Sequence, residues 1–115
     1  MTAPKFHIFQ NDNDSLYNYK LTDAEGNIIL LGVGYSLKEI CQEEIDAVQV
    51  NCPINSRYLK RSAIMSYSFY LTTWTGDKLG KSPDFTSGIE MESAISKVKM
   101  YAPVALIEDL CEVAF

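Results

Sequence analysis

An α+β fold is expected for this chain: two tandem β3-α repeats forming one antiparallel sheet, with both helices on one face and a pseudo-twofold axis between the halves. Three observations lead there. First, the chain aligns with itself at a shift of 50 residues without a gap, placing Tyr17 on Tyr67, Leu21 on Leu71, Gly26 on Gly76, Ile45 on Ile95, Val48 on Val98 and Pro53 on Pro103. A fixed self-similar period signals one supersecondary unit used twice. Second, each half carries an alternating run, Tyr17, Tyr19, Leu21 and then Tyr67, Phe69, Leu71, with the spacing of a half-buried strand. Third, each half ends in a stripe at helical spacing, closed by a proline.

The elements follow in order. KFHIF at 5–9 alternates as a short strand, and Asn11 to Ser15 form a turn cluster. After the Tyr17–Leu21 strand, Glu25, Gly26 and Asn27 supply a tight turn, with Gly26 free to take positive φ. Ile28 to Val33 follow as a third strand that is apolar on both faces. Ser36 is expected to cap a helix, with Glu39 completing a capping box. Its stripe is Leu37, Cys41, Ile45, Val48 and Cys52, and Pro53 stops it.

The second half repeats the order. Arg57 to Ala63 and Tyr67 to Leu71 are strands, Gly76 and Asp77 turn, and Lys78 to Ser82 is the partner strand. Thr86 or Ser87 caps a helix with the stripe Met91, Ala94, Ile95, Val98 and Ala102. Val104 to Phe115 suits either a helical stripe or a short added strand. A half of about 50 residues is too small to shield a core easily. A single domain over 1–115 is therefore expected, with repeat 1 at about 5–54, repeat 2 at about 55–104 and a tail at 105–115.

The segments IDAVQVNCP and ISKVKMYAP, each closing a turn-strand-helix unit, resemble the tandem-repeat YegP-like family of small bacterial domains of unknown function. The pattern appears as Tyr17, Tyr19, Leu21, Gly26, Tyr35, Ser36, Ile45, Val48, Pro53, and again as Tyr67, Phe69, Leu71, Gly76, Phe85, Thr86, Ile95, Val98, Pro103. The link SRYLKRSA at 56–63 is similar too. The family often has Asn–Gly before the helical Ile, where this chain has Glu43, Glu44 and then Ser93, Ala94. The resemblance implies two β3-α units sharing one sheet, with the strand after each helix open to exchange between units. It implies no activity and no catalytic residues.

Composition sets limits on function. The net charge of −5 lies wholly in the first half, since the second half balances. An acidic whole argues against nucleic acid as the main partner, because phosphate binding draws on clustered Lys and Arg. The one basic cluster along the chain is Arg57, Lys60 and Arg61, a candidate anion site, though a solvated strand face is the simpler account. No apolar run reaches the length of a membrane span, and the start lacks a signal-peptide core. Three cysteines, Cys41, Cys52 and Cys111, with no CxxC suit unpaired thiols in a reducing cytoplasm.

Reactive constellations are thin. His7 is the single histidine, flanked by Phe6 and Ile8, and is expected to face away from the core. Asp12, Asn13 and Asp14 imitate the start of a calcium loop, but Tyr17 stands where its Gly belongs. Glu43 and Glu44 diverge by about 100° on a helix. No metal site, cofactor or catalytic residue is expected. Tyr70 and Trp74 fall on the phase opposite Tyr67, Phe69 and Leu71, with Leu16 on the matching phase of the first half and Leu30 or Leu31 joining it. They suggest a contact surface on an open sheet face. A non-catalytic binding or protein-interaction module, contacting a second copy of the chain or another protein, is therefore expected ahead of a small enzyme or anion-binding protein with a site at the repeat junction near Arg57, Lys60 and Arg61.

Overall fold

A computed structural model describes residues 3–111. The strands are β1 (Lys5–Gln10), β2 (Tyr17–Thr22), β3 (Ile28–Leu31), β4 (Tyr58–Ala63), β5 (Ser66–Thr72), β6 (Lys78–Lys81) and β7 (Leu106–Asp109). Helices α1 (Lys38–Asn51) and α2 (Gly88–Tyr101) follow β3 and β6. The fold is α+β, with one seven-stranded sheet in the order β4-β5-β6-β3-β2-β1-β7.

The sheet is mixed, which corrects the expectation of a purely antiparallel one. β7 pairs parallel with β1, Lys5 opposite Leu106, while all other pairs are antiparallel. The chain leaves α2 beside the start of β1 and fills that strand's free flank running the same way. The tail is therefore a strand at Leu106–Asp109. Residues 112–115 lie outside the described residues.

Glycine turns join β2 to β3 and β5 to β6, with Gly26 at φ 84° and Gly76 at φ 93°. The turns match bond for bond: Asp23 and Thr73 N–H donate to Asn27 and Asp77 carbonyls, and Gly26 and Gly76 N–H donate back. β3 ends at Leu31, two residues sooner than expected. A bulge between Leu21 and Thr22 lets both Ile29 and Leu30 bury, while Ile28 and Leu31 stay exposed.

The helix starts differ. Ser87 caps α2, its hydroxyl accepting from the Glu90 N–H. Ser36 does not cap α1; the cap residue is Leu37, in extended backbone, and no side chain bonds the first turn. The 50-residue shift puts Leu37, not Ser36, on Ser87, so the cap position of α1 holds an apolar residue. Arg57 lies in a turn of 3-10 helix at Asn55–Arg57, ahead of β4 rather than on it.

One hydrophobic cluster draws on both halves. It joins Phe6, Ile8, Tyr19, Leu21, Phe69 and Leu71 of the sheet to Cys41, Ile45 and Val48 of α1 and Met91, Ile95 and Val98 of α2. α1 packs on β2, β5 and β6, and α2 on β3 and β5. At the centre of the sheet, β3 and β6 share one registered pair, Leu31 with Lys81. Side chains reinforce that seam. The Tyr19 hydroxyl reaches from β2 to donate to the Leu79 carbonyl at 2.6 Å, and the Tyr35 hydroxyl donates to the same oxygen at 3.3 Å. Burial pushes both phenols up from their ordinary value, so they remain donors.

Candidate surface: the helix-free sheet face

Residues directly opposite in a ladder share a face. The registers therefore trace one row across the sheet: Leu59, Tyr70, Lys81, Leu31, Lys20, His7 and Glu108, one from each strand. Every member is out of phase with the buried set, so the row lies on the face that carries no helix. Leu31, not Leu30, is the β3 member, and is 37% exposed. Phe9 and Lys5 flank His7 along β1 on the same face.

Aromatic and cationic groups alternate on this face. Lys78 Nζ stands 4.4 Å from the centroid of the Tyr70 ring, and Lys81 Nζ 6.0 Å from it. Lys20 Nζ stands 5.6 Å from the centroid of Phe9. Such contacts place the ammonium over the electron-rich ring face. Arg61 pairs in register with Ser68, again on this face. Among the described residues, acids placed here include Glu108, ion-paired to Lys5 at 3.1 Å, and Asp84, bordering Lys81 in a hollow with Leu31.

His7 points into a hollow of about 350 Å³ between Lys5, Lys20, Thr22 and Glu108. Its Nε2 lies 3.3 Å from Thr22 Oγ1, and its buried Nδ1 has no partner among the described residues. Burial and the neighbouring Lys20 charge lower its pKa, so the ring is neutral near pH 7.

The sequence-predicted contact residues are spread along the face rather than gathered. Tyr70 is half-buried at the middle of β5, and Trp74 is 79% exposed in the β5–β6 turn. Leu16 is half-buried ahead of β2. Two strands separate β2 from β5, so Leu16 stands on the order of 14 Å from that strand.

The basic trio also divides. Arg57 donates from Nε to Asn51 Oδ1 at 3.0 Å. Lys60 faces α2 and pairs with Glu92 at 2.8 Å. Arg61 takes the opposite phase. Lys60 and Arg61 do border a hollow of about 640 Å³ with Ser62, Tyr67, Thr86 and Ser87, which Arg57 does not reach. The hollow lies by β4, an edge strand, so the junction of the halves in sequence is not their junction in space.

A hollow of about 760 Å³ lies between the β2–β3 turn and α2, lined in part by Asp23, Ile28, Phe85, Ile89 and Lys97. Asp23 is 1% exposed, and its carboxylate accepts from the Glu25 and Asn27 N–H groups and from Lys97 Nζ. The carboxylate is thus tied into its own turn and to α2. Among the described residues, no group of His, Cys, Asp and Glu has metal-site geometry. Cys41, Cys52 and Cys111 are unpaired, and burial pushes all three thiols up, away from nucleophilic thiolate character. No described helix is long and apolar enough to cross a membrane.

Known proteins are similar to this chain in sequence and in fold. A model of a domain of unknown function, DUF1508, matches residues 12–58. A UPF0339 protein of Bordetella pertussis is 30% identical over 94 residues, covering 81% of this chain and 85% of its own length. The chain belongs to the YegP-like family of domains of unknown function. A UPF0339 protein encoded in the 5′ region of the ptx operon of Stutzerimonas stutzeri is 28% identical over 106 residues, 91% of this chain and 95% of that one. Among solved structures, yegP of E. coli superposes with a TM-score of 0.88 at 23% identity, covering 99% of this chain and 98% of that one. A UPF0339 protein of Shewanella oneidensis superposes with a TM-score of 0.87 at 24% identity, over 96% of this chain and 93% of that one. These two likenesses establish the YegP-like fold and carry no activity with it.

Proposed function

We propose that the chain is a non-catalytic binding module of a reducing cytoplasm whose contact surface is the helix-free face of its sheet. The observation that supports this reading is the uncovered row through Leu59, Tyr70 and Leu31, with Trp74 exposed at its rim. An exposed aromatic and aliphatic surface of this kind is characteristic of interaction sites. The two halves act as tandem β3-α repeats of one domain about a pseudo-twofold axis between β3 and β6. Of the strands that follow the helices, β4 pairs within its own repeat on β5, and the tail strand β7 crosses to β1 of the first repeat.

Trp74→Ser is expected to change the solution mass or the partner capture of the protein while leaving its unfolding free energy within about 0.5 kcal/mol of the wild type, as for surface changes generally. Light scattering and denaturant titration measure both. An unchanged mass and unchanged capture in Trp74→Ser and Leu59→Ser alike would remove the contact surface.

A second reading is anion binding in the hollow by β4. It is supported by Lys60, Arg61 and the hydroxyl groups of Ser62 and Thr86 lining one space. Lys60 already answers Glu92 there, which places this reading second.

A further inference from the structure

We infer that the helix-free face binds single-stranded nucleic acid, with phosphates held by its lysines and bases stacked on its aromatic rings. The net charge of −5 does not describe this face. Lys5, Lys20, Arg61, Lys78 and Lys81 lie on it against Glu108 and Asp84. The helix side holds the opposite excess: α1 alone carries Glu39, Glu43, Glu44 and Asp46 against Lys38. Those acids stand a packed layer away, on the order of 10 Å. Salt screens charges beyond about 8 Å at physiological ionic strength. A polyanion at the sheet therefore meets the local cations.

The aromatics decide which polyanion. Cations alone would serve an acidic peptide as well. Here each ring has an ammonium above its face, Lys78 and Lys81 on Tyr70 and Lys20 on Phe9. Lysine side chains are long and move readily, so the ring faces become available once phosphates draw the ammonium groups aside. Paired ring faces and mobile cations on an open surface are what single strands use, through stacking that every base can offer. A duplex keeps its bases stacked inside and cannot use the rings. The span from β5 to β1 is four strand spacings, on the order of 19 Å, enough for several nucleotides. The His7 hollow lies along that path.

This occupant belongs to the contact surface proposed above, and the test separates the two. The probe is a fluorescein-labelled oligothymidylate of about 12 nucleotides, a length within the usual site sizes of single-strand binders, followed by fluorescence anisotropy. Binding is expected to weaken with salt at a log–log slope of about −2 to −3, as for three or four phosphate contacts on a single strand. The double reversal Lys78→Glu, Lys81→Glu is expected to weaken binding at least about 10-fold and flatten the slope by about one unit or more. Tyr70→Ala is expected to weaken it by about 5- to 100-fold, the effect of losing one stacked base, with Tyr70→Phe retaining affinity. Lys99→Glu, a single charge reversal on α2, half the change of the double variant, is expected to bind as the wild type. Absence of binding at about 50 mM salt, equal loss in Lys99→Glu, or equal affinity for a duplex of the same length or for polyglutamate would each overturn the inference. If Trp74→Ser still altered mass or capture in that event, the contact surface would stand with a different occupant.

Discussion

Gly80→Ala is expected to destabilise the protein by about 1–3 kcal/mol, the usual cost of overpacking a core, and Tyr19→Phe is expected to recover part of that loss instead of adding to it. A Cβ on Gly80 would stand 2.5 Å from the Tyr19 hydroxyl and 3.0 Å from Leu30 Cγ. Tyr19 and Leu30 are both fully buried, so neither can swing away. The hydroxyl is also engaged, donating to the Leu79 carbonyl. Tyr19→Phe alone loses that bond and is expected to cost about 1–2 kcal/mol. The loss is softened because the Tyr35 hydroxyl still donates to the same oxygen. In the double variant the clashing oxygen is gone while the contact with Leu30 remains. A double-mutant cycle by urea denaturation should therefore show a favourable coupling of at least about 0.5 kcal/mol, the size expected of residues in contact. Strict additivity would mean that the seam does not rest on this hydroxyl.

Asp23→Ala is expected to cost about 2–3 kcal/mol, because it strands two turn N–H groups and Lys97. Asp23→Asn should cost less, since an amide oxygen can still accept from the turn. The two variants differ from the wild type most clearly in acid. Burial on its own would raise the Asp23 pKa, but the Asn27 amide, Lys97 and the Glu25 amide together outweigh it and hold the carboxyl below its usual range. A carboxyl with a depressed folded-state pKa adds stability that is present above its unfolded value, near 3.9, and is lost as pH falls through the folded one. The wild type should thus shed part of its stability below about pH 4, and Asp23→Asn should show a shallower acid limb. Denaturant midpoints between neutral and strongly acid pH measure the difference. Parallel curves for wild type and Asp23→Asn would exclude this carboxylate as the source.

Much of the fold was legible because its signals are local. Alternation at Tyr17, Tyr19 and Leu21 and at Tyr67, Phe69 and Leu71 marks β2 and β5, and the prolines after each stripe stop both helices. What stayed hidden depends on elements distant in sequence. The direction of β7 is set by which flank of β1 is open when the chain leaves α2. The missing Ser36 cap follows from a start shifted by one residue, which the hydroxyl pattern alone could not show. The expected trio Arg57, Lys60 and Arg61 is contiguous only along the chain; pairing sends Lys60 and Arg61 to opposite faces and leaves Arg57 in a turn. Conversely, Lys20, Lys78 and Lys81 looked unremarkable one by one. They become neighbours of a shared surface only once β6, β3 and β2 are laid side by side. A ladder-by-ladder alignment of the strands would have revealed that grouping, but strand order is not written in the period of the sequence.

With ammonium groups gathered beneath the sheet and carboxylates along α1 above it, the molecule carries an electric dipole from its helix layer to its sheet layer. In the field of any charged body such a dipole experiences a torque, so approach and alignment are coupled before contact. Orientation of this sort raises the fraction of productive collisions and fades as electrolyte is added.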